Sequence, residues 1–154
     1  MENHDRYLEV LWGCQYAGLV YTAASSRLTS KELSYIINDC AAKVFITSKY
    51  KADQAAEIVT DTPNVALRLM LDGTIEGYES YENAVASQPL TPLSDRIAGT
   101  DMLYSSGTTG LPKGVTKPFV ALPLEETATS VAPTLGMLFG FTPDSIYLSP
   151  APMY

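Results

Sequence analysis

The chain has 154 residues, 46% of them hydrophobic and 18% charged, enough for one domain of ordinary size with an apolar core. A net charge of −7 with only ten Lys and Arg argues against a nucleic-acid backbone as partner, yet leaves room for a small anion held by local amides and one lysine. Cys14 and Cys40 stand outside any CxxC or Cys/His cluster and His4 is the single histidine, so metal, redox and Ser–His or Cys–His chemistry lack material; both cysteines read as plain buried thiols of a reducing compartment.

The N-terminus, "MENHDRYLEV", carries acids ahead of any apolar run and is not a secretory signal. "RYLEVLWGCQYAG" places Tyr7, Leu8, Leu11, Trp12, Cys14 and Tyr16 close to one helical stripe, Gly18 can stop that helix, and "LVYTA" follows as a short strand. The apolar stretch over residues 10–24 is about fifteen residues, shorter than the roughly twenty that span a bilayer, so the chain reads as soluble and cytoplasmic. "TSKELSYIINDC" opens with Thr29-x-x-Glu32, a capping box, and Leu33, Ile36, Ile37 and Cys40 then make a buried face. "KVFIT" is a buried strand, and Ser48 is expected to cap a helix through "KYKADQAAEIV", with Lys49, Lys51 and Asp53 on its solvated face.

"VALRLML" is the next strand, closed by Asp72-Gly73, and "YESYENAVAS" is a short helix. "QPLTPLSDR" is a proline-punctuated surface connection. "DMLYSS" reads as strand, "GTTGLPKG" as loop and "VTKPFV" as a second strand or extended arm. "LEETATSVAPTLGMLFGF" is apolar at helical spacing with a kink at Pro133, Glu125-Glu126 reading as dipole partners at its start, and "DSIYLSPAPMY" as a final strand. Trp12, Tyr16, Tyr35 and Phe45 read as core aromatics.

Helices alternating with short buried strands predict an α/β fold with mainly parallel strands, whose ligands bind where loops leave strand ends. Both ends read as cut, which makes a piece of a longer protein the expectation. The glycine loop after "DMLYSS" sits at a strand end. It is neither the Walker loop, G-x-x-x-x-G-K-S/T, nor the dinucleotide pattern G-x-G-x-x-G, because its spacing is Gly107-x-x-Gly110-x-x-Lys113-Gly114. Its residue types nevertheless suit an anion. Gly107, Gly110 and Gly114 permit positive φ and close approach; Ser105, Ser106, Thr108 and Thr109 offer hydroxyls; exposed amides form a nest; Lys113 adds a mobile charge. A Gly/Ser/Thr hairpin with an incidental lysine is the plain structural alternative.

"YSSGTTGLPKGV" resembles the signature loop of the adenylate-forming (AMP-binding) superfamily, in its acyl-CoA synthetase or fatty-acid–CoA ligase branch. The flanks agree: "AGLVYTAASSRLTSKELSYIINDCAAKVFIT" is similar to the segment ahead of that loop, and "YLSPAPMY" to the strand Y-L-x-x-x-P-L/M-Y/F-H. The resemblance implies that residues 1–154 are a partial AMP-binding (adenylation) domain, with the downstream part and C-terminal domain absent. It implies ATP, Mg2+ and coenzyme A as co-substrates of the parent, and a carboxylic acid, a fatty acid by the flanks, as the molecule activated. Ser105, Ser106, Gly107, Thr108, Thr109, Gly110, Lys113 and Gly114 would then hold the nucleotide's phosphates, with no catalytic or metal-ligating residue assigned in this chain and the 154 residues alone inactive. Thr116-Lys117-Pro118-Phe119 departs from the hydroxyl–His pair that often follows the loop. A non-catalytic truncated product or a plain nucleotide-phosphate-binding module is the alternative function.

Overall fold

A computed structural model describes residues 1–105, 110–116, 118–124, 136–142, 144–146, 148 and 153. The elements run α1 (Tyr7–Tyr16), β1 (Val20–Tyr21), α2 (Ser30–Asp39), β2 (Val44–Ser48), a 3-10 turn over Lys49–Lys51 into α3 (Ala52–Glu57), β3 (Leu67–Leu71), β4 (Glu79–Ser80), α4 (Tyr81–Ala86), β5 (Thr100–Asp101), β6 (Leu103–Tyr104) and β7 (Gly114–Val115). Three of the strand pairings are parallel: β2 with β3, β3 with β4, and β1 with β5. The fourth, β6 with β7, is antiparallel and carries the glycine loop.

The helix starts follow from local chemistry. Thr29 Oγ1 accepts the Glu32 amide at 3.3 Å while Glu32 Oε2 accepts the Thr29 amide at 2.8 Å, so the expected capping box forms and satisfies two donors of the first turn. Those hydrogen bonds hold the Glu32 carboxyl below its ordinary value. Leu33, Ile36 and Ile37 are buried, as their spacing predicts. Ser80 caps α4 in the same way, its hydroxyl accepting the Asn83 amide at 3.2 Å.

The core is built around β3. Leu69, Met70 and Leu71 are all buried, the unbroken burial of a central parallel strand covered on both faces. Met70 packs with Ala55 and Tyr78 on one side; Leu69 and Leu71 pack with Tyr81 on the other. The Tyr78 hydroxyl donates to Ala55 O at 3.0 Å, and burial pushes its pKa up to about 12. Arg68 turns its guanidinium onto the carbonyls of Thr62 (2.6 Å), Val59 and Val65, closing the end of the α3 segment with fixed positive charge. Asp72 and Gly73 end β3 with φ of 61° and 145°, the turn the sequence predicts.

Four expectations are corrected by packing. Ser48 does not cap the following helix; its hydroxyl is turned to the Glu2 carboxylate instead. Lys49 and Lys51 are not merely solvated, since their ammonium groups donate to Thr74 O (3.0 Å) and Ser26 O (2.6 Å); Asp53 is exposed as expected. Trp12 and Tyr16 are 53% and 47% exposed and stack on each other rather than in the core, whereas Phe45 packs edge-on against Tyr78 and Tyr35 is half-buried. The cysteines are half-buried, and burial pushes both thiols up. The two-residue strand β4 carries no sequence signal and forms by pairing with β3. Residues 88–96 run exposed over the surface. Glu125, Glu126 and Pro133 lie outside the described residues, as does much of the stretch read as the final strand.

Candidate functional site

Strand β5 is seated against the end of α1. The Gly99 amide donates to Gln15 O at 2.7 Å and the Thr100 amide to Leu19 O at 3.1 Å, which sets the parallel register Val20–Thr100. The Met102 amide then reaches Tyr21 O at 2.9 Å. From that base β6 runs out and returns as β7, pairing Leu103 with Val115 and Tyr104 with Gly114. The glycine loop is therefore the tip of an antiparallel hairpin rising from the end of a parallel strand.

Its neck is tied twice at one residue. The Ser105 amide donates to Lys113 O at 3.0 Å, and the Lys113 amide donates to Ser105 Oγ at 3.1 Å. Ser105, read from sequence as one more hydroxyl for an anion, thus spends its oxygen on closing the loop, while its O–H remains available as a donor. Lys113 is exposed, and its ammonium has no ion-pair partner among the described residues. Pro112 beside it is half-buried and fixes φ just before the lysine. Gly110 is exposed, and a Cβ built there meets nothing within 4 Å. Ser106, Gly107, Thr108 and Thr109 lie outside the described residues.

Gly114 does not adopt positive φ, and it has a packing role that the sequence does not show. A Cβ on Gly114 would lie 2.3 Å from Met102 Cε and 3.1 Å from Tyr104 Cζ, so this glycine admits the Met102 methyl and the Tyr104 ring against the returning strand. Tyr104 itself was not singled out by sequence reasoning. Its hydroxyl donates to Asp39 Oδ2 at 2.6 Å, across 65 positions of sequence. Desolvation and that bond hold the phenol protonated well above its ordinary range.

An apolar cleft of about 540 Å³ opens between α1, β1, α2 and β2, lined by Tyr7, Leu11, Ile36, Cys40, Phe45 and Met102 among others. His4 joins no catalytic grouping: its Nε2 lies 2.8 Å from Asp72 Oδ2, tying the N-terminal arm to the end of β3. Among the described residues no three His, Cys, Asp or Glu side chains converge as metal ligands, and no helix is long and apolar enough to cross a membrane. Chemically, the described part of the hairpin offers the exposed Lys113 ammonium, without an ion-pair partner among the described residues, beside the open space over Gly110.

The family model described as AMP-binding enzyme matches residues 1–154. A long-chain-fatty-acid–CoA ligase of Thermus thermophilus is 33% identical over 130 residues, covering 84% of this chain and 24% of that protein. A medium-chain-fatty-acid–CoA ligase of Ectopseudomonas oleovorans is 27% identical over 145 residues, covering 88% of this chain and 27% of that one. Among solved structures, Brucella canis acyl-CoA synthetase superposes with a TM-score of 0.68 at 20% identity, over 98% of this chain and 27% of its own. The anthranilate CoA ligase AuaEII, solved with anthranoyl-AMP, gives 0.67 at 24% identity, over 91% and 26%. These likenesses bear out the α/β fold. The chain spans about a quarter of the length of the curated relatives it matches.

Proposed function

We propose, for a chain that belongs to the AMP-binding enzyme family, that it forms the phosphate-gripping part of the adenylation domain of an AMP-forming acid–CoA ligase acting on a fatty acid. In that reaction a carboxylate oxygen attacks the α-phosphorus of ATP and pyrophosphate leaves; the thiol of coenzyme A then takes the acyl group and AMP departs. The chain's part is to bind and orient the polyphosphate. Negative charge grows on the leaving pyrophosphate, and donors already in place there lower the barrier more than they tighten ground-state binding.

One observation carries the reading: a hairpin neck closed by Ser105 and Lys113 holds the exposed Lys113, which has no ion-pair partner among the described residues, beside the open space over Gly110 at a strand end. Ser105 would donate its O–H to a phosphate oxygen, Lys113 would act as a point cation, and Ser106, Gly107, Thr108, Thr109 and Gly110 would supply hydroxyls, amides and close approach. Gly114 supports them through its packing on Tyr104. Among the described residues no three His, Cys, Asp or Glu side chains converge, and magnesium would be held by the nucleotide's own phosphates. The names of the relatives favour a fatty acid as substrate.

The test is ATP–pyrophosphate exchange by the full-length product of this chain's own reading frame, with medium- and long-chain fatty acids, benzoate and amino acids as separate arms. Exchange that depends on a fatty acid, followed by thioester formation with coenzyme A, is the expected result. ATP binding without exchange in any arm would favour the plain phosphate-binding module.

A further inference from the structure

We infer that Tyr104 is a positioning residue for the loop, pinning the hairpin to the C-terminal end of α2 through Asp39. Three separate features meet on this one side chain. Its hydroxyl donates to Asp39 Oδ2 at 2.6 Å. Its ring lies tight against Gly114, where an added Cβ would stand 3.1 Å from Tyr104 Cζ and 3.2 Å from its hydroxyl, with Met102 Cε nearer still at 2.3 Å, so the strand leaving the loop is closed over both side chains. Its chain neighbour Ser105 ties the neck to Lys113.

Asp39 supplies the second half of the argument. It is the last residue of α2, where unsatisfied carbonyls make the field negative, and no basic side chain stands in that last turn. A carboxylate there is unfavourable for the helix by itself. A local rule broken in this way calls for a tertiary gain, and the Tyr104 O–H is that gain. A hydrogen bond to a charged acceptor is among the stronger single contacts available to a side chain. The β6–β7 pairing spans only two residues on each strand, too short to fix the direction of the tip unaided. The pin adds the missing constraint and so aims Lys113.

This inference rests on the reading of the hairpin as a phosphate loop, and its test has one arm that does not. In the full-length product, amide hydrogen exchange of Ser105, Lys113 and Val115 is compared among wild type, Tyr104→Phe, Asp39→Ala and Asp39→Asn. Tyr104→Phe keeps the ring over Gly114 and removes only the hydroxyl. The expected result is about tenfold faster exchange at these amides in Tyr104→Phe and Asp39→Ala, the lower range for a lost hydrogen bond to a charged group. Asp39→Asn retains an acceptor oxygen and should stay near wild type, while protection of β3 is unchanged in all three. The second arm reads turnover: KM for ATP rises several-fold in Tyr104→Phe and Asp39→Ala and stays near wild type in Asp39→Asn, with KM for the acid unchanged throughout. Unchanged neck exchange in Tyr104→Phe overturns the pin. Faster exchange spread evenly through β3 also overturns it, since that marks general destabilisation. A loosened neck with unaltered KM for ATP overturns the positioning role. A wild type that turns over no ATP defeats the proposed function, while the exchange arm still decides whether Tyr104 holds the loop.

Discussion

Gly99→Ala should cost this protein much of its stability, for a reason the geometry makes explicit. A Cβ at Gly99 would lie 2.5 Å from Leu19 O, 2.6 Å from Cys14 O and 3.1 Å from Gln15 Cα, all backbone atoms of the last turn of α1 or of the residue just before β1. Flexible side-chain tips can swing away from such a contact, but a helix terminus cannot. Relief requires β5 to retreat, which strains the Gly99–Gln15 hydrogen bond of 2.7 Å and the Thr100–Leu19 bond of 3.1 Å. Overpacking by one methyl group costs about 1–3 kcal/mol, and each weakened backbone bond adds about 0.5–1.5 kcal/mol. The expected loss is about 3 kcal/mol, a large share of the roughly 5–15 kcal/mol that holds a domain folded. The measurement is urea unfolding of the full-length product, with Gly110→Ala as control because its Cβ meets nothing within 4 Å. Since Met102 and β6 continue directly from β5, ATP use should fall together with stability in Gly99→Ala. A Gly99→Ala midpoint equal to wild type would refute the reasoning, because it would mean that α1 and β5 do not approach as described.

Lys113→Ala should slow ATP–pyrophosphate exchange by roughly 10²–10³ at saturating acid, the size of effect seen when one donor to developing charge is removed; an unchanged rate would remove the lysine from the mechanism. Gly110→Val should fold normally, since a Cβ there meets nothing within 4 Å, yet lose ATP use by blocking approach of the phosphates; near-normal turnover would show that the backbone there does not touch the nucleotide. Because the Glu32 carboxyl is held below its ordinary value of 4.5, the capping box contributes stability that is fully present above that pH and is lost as pH falls through the depressed value. Hydrogen exchange at the first turn of α2 should therefore accelerate on acidification, and should do so less in Glu32→Gln, whose amide still reaches the Thr29 region without titrating; identical acid profiles would count against the linkage.

What the sequence by itself determined was set by near neighbours along the chain. The Thr29–Glu32 capping box, the buried face of Leu33, Ile36 and Ile37, the Asp72-Gly73 turn and the glycine loop each involve partners within a few residues, so their chemistry is visible as spacing. The repeated exchange of helix and short apolar strand likewise reports parallel pairing, because such strands are covered on both faces. Periodicity showed that Trp12 and Tyr16 share a helix face, but coverage of that face depends on what packs there, and both side chains stand half exposed. Only the tertiary structure brought Tyr104 to Asp39, set Gly99 against the carbonyls of α1, gave Gly114 a packing role and sent the Ser48 hydroxyl to Glu2. Those contacts join residues ten or more positions apart, and a hydrogen bond or a steric limit acts over a few ångströms of space whatever the separation along the chain. The loop's composition was therefore legible in advance, whereas the scaffold that aims it exists only once the strands have paired.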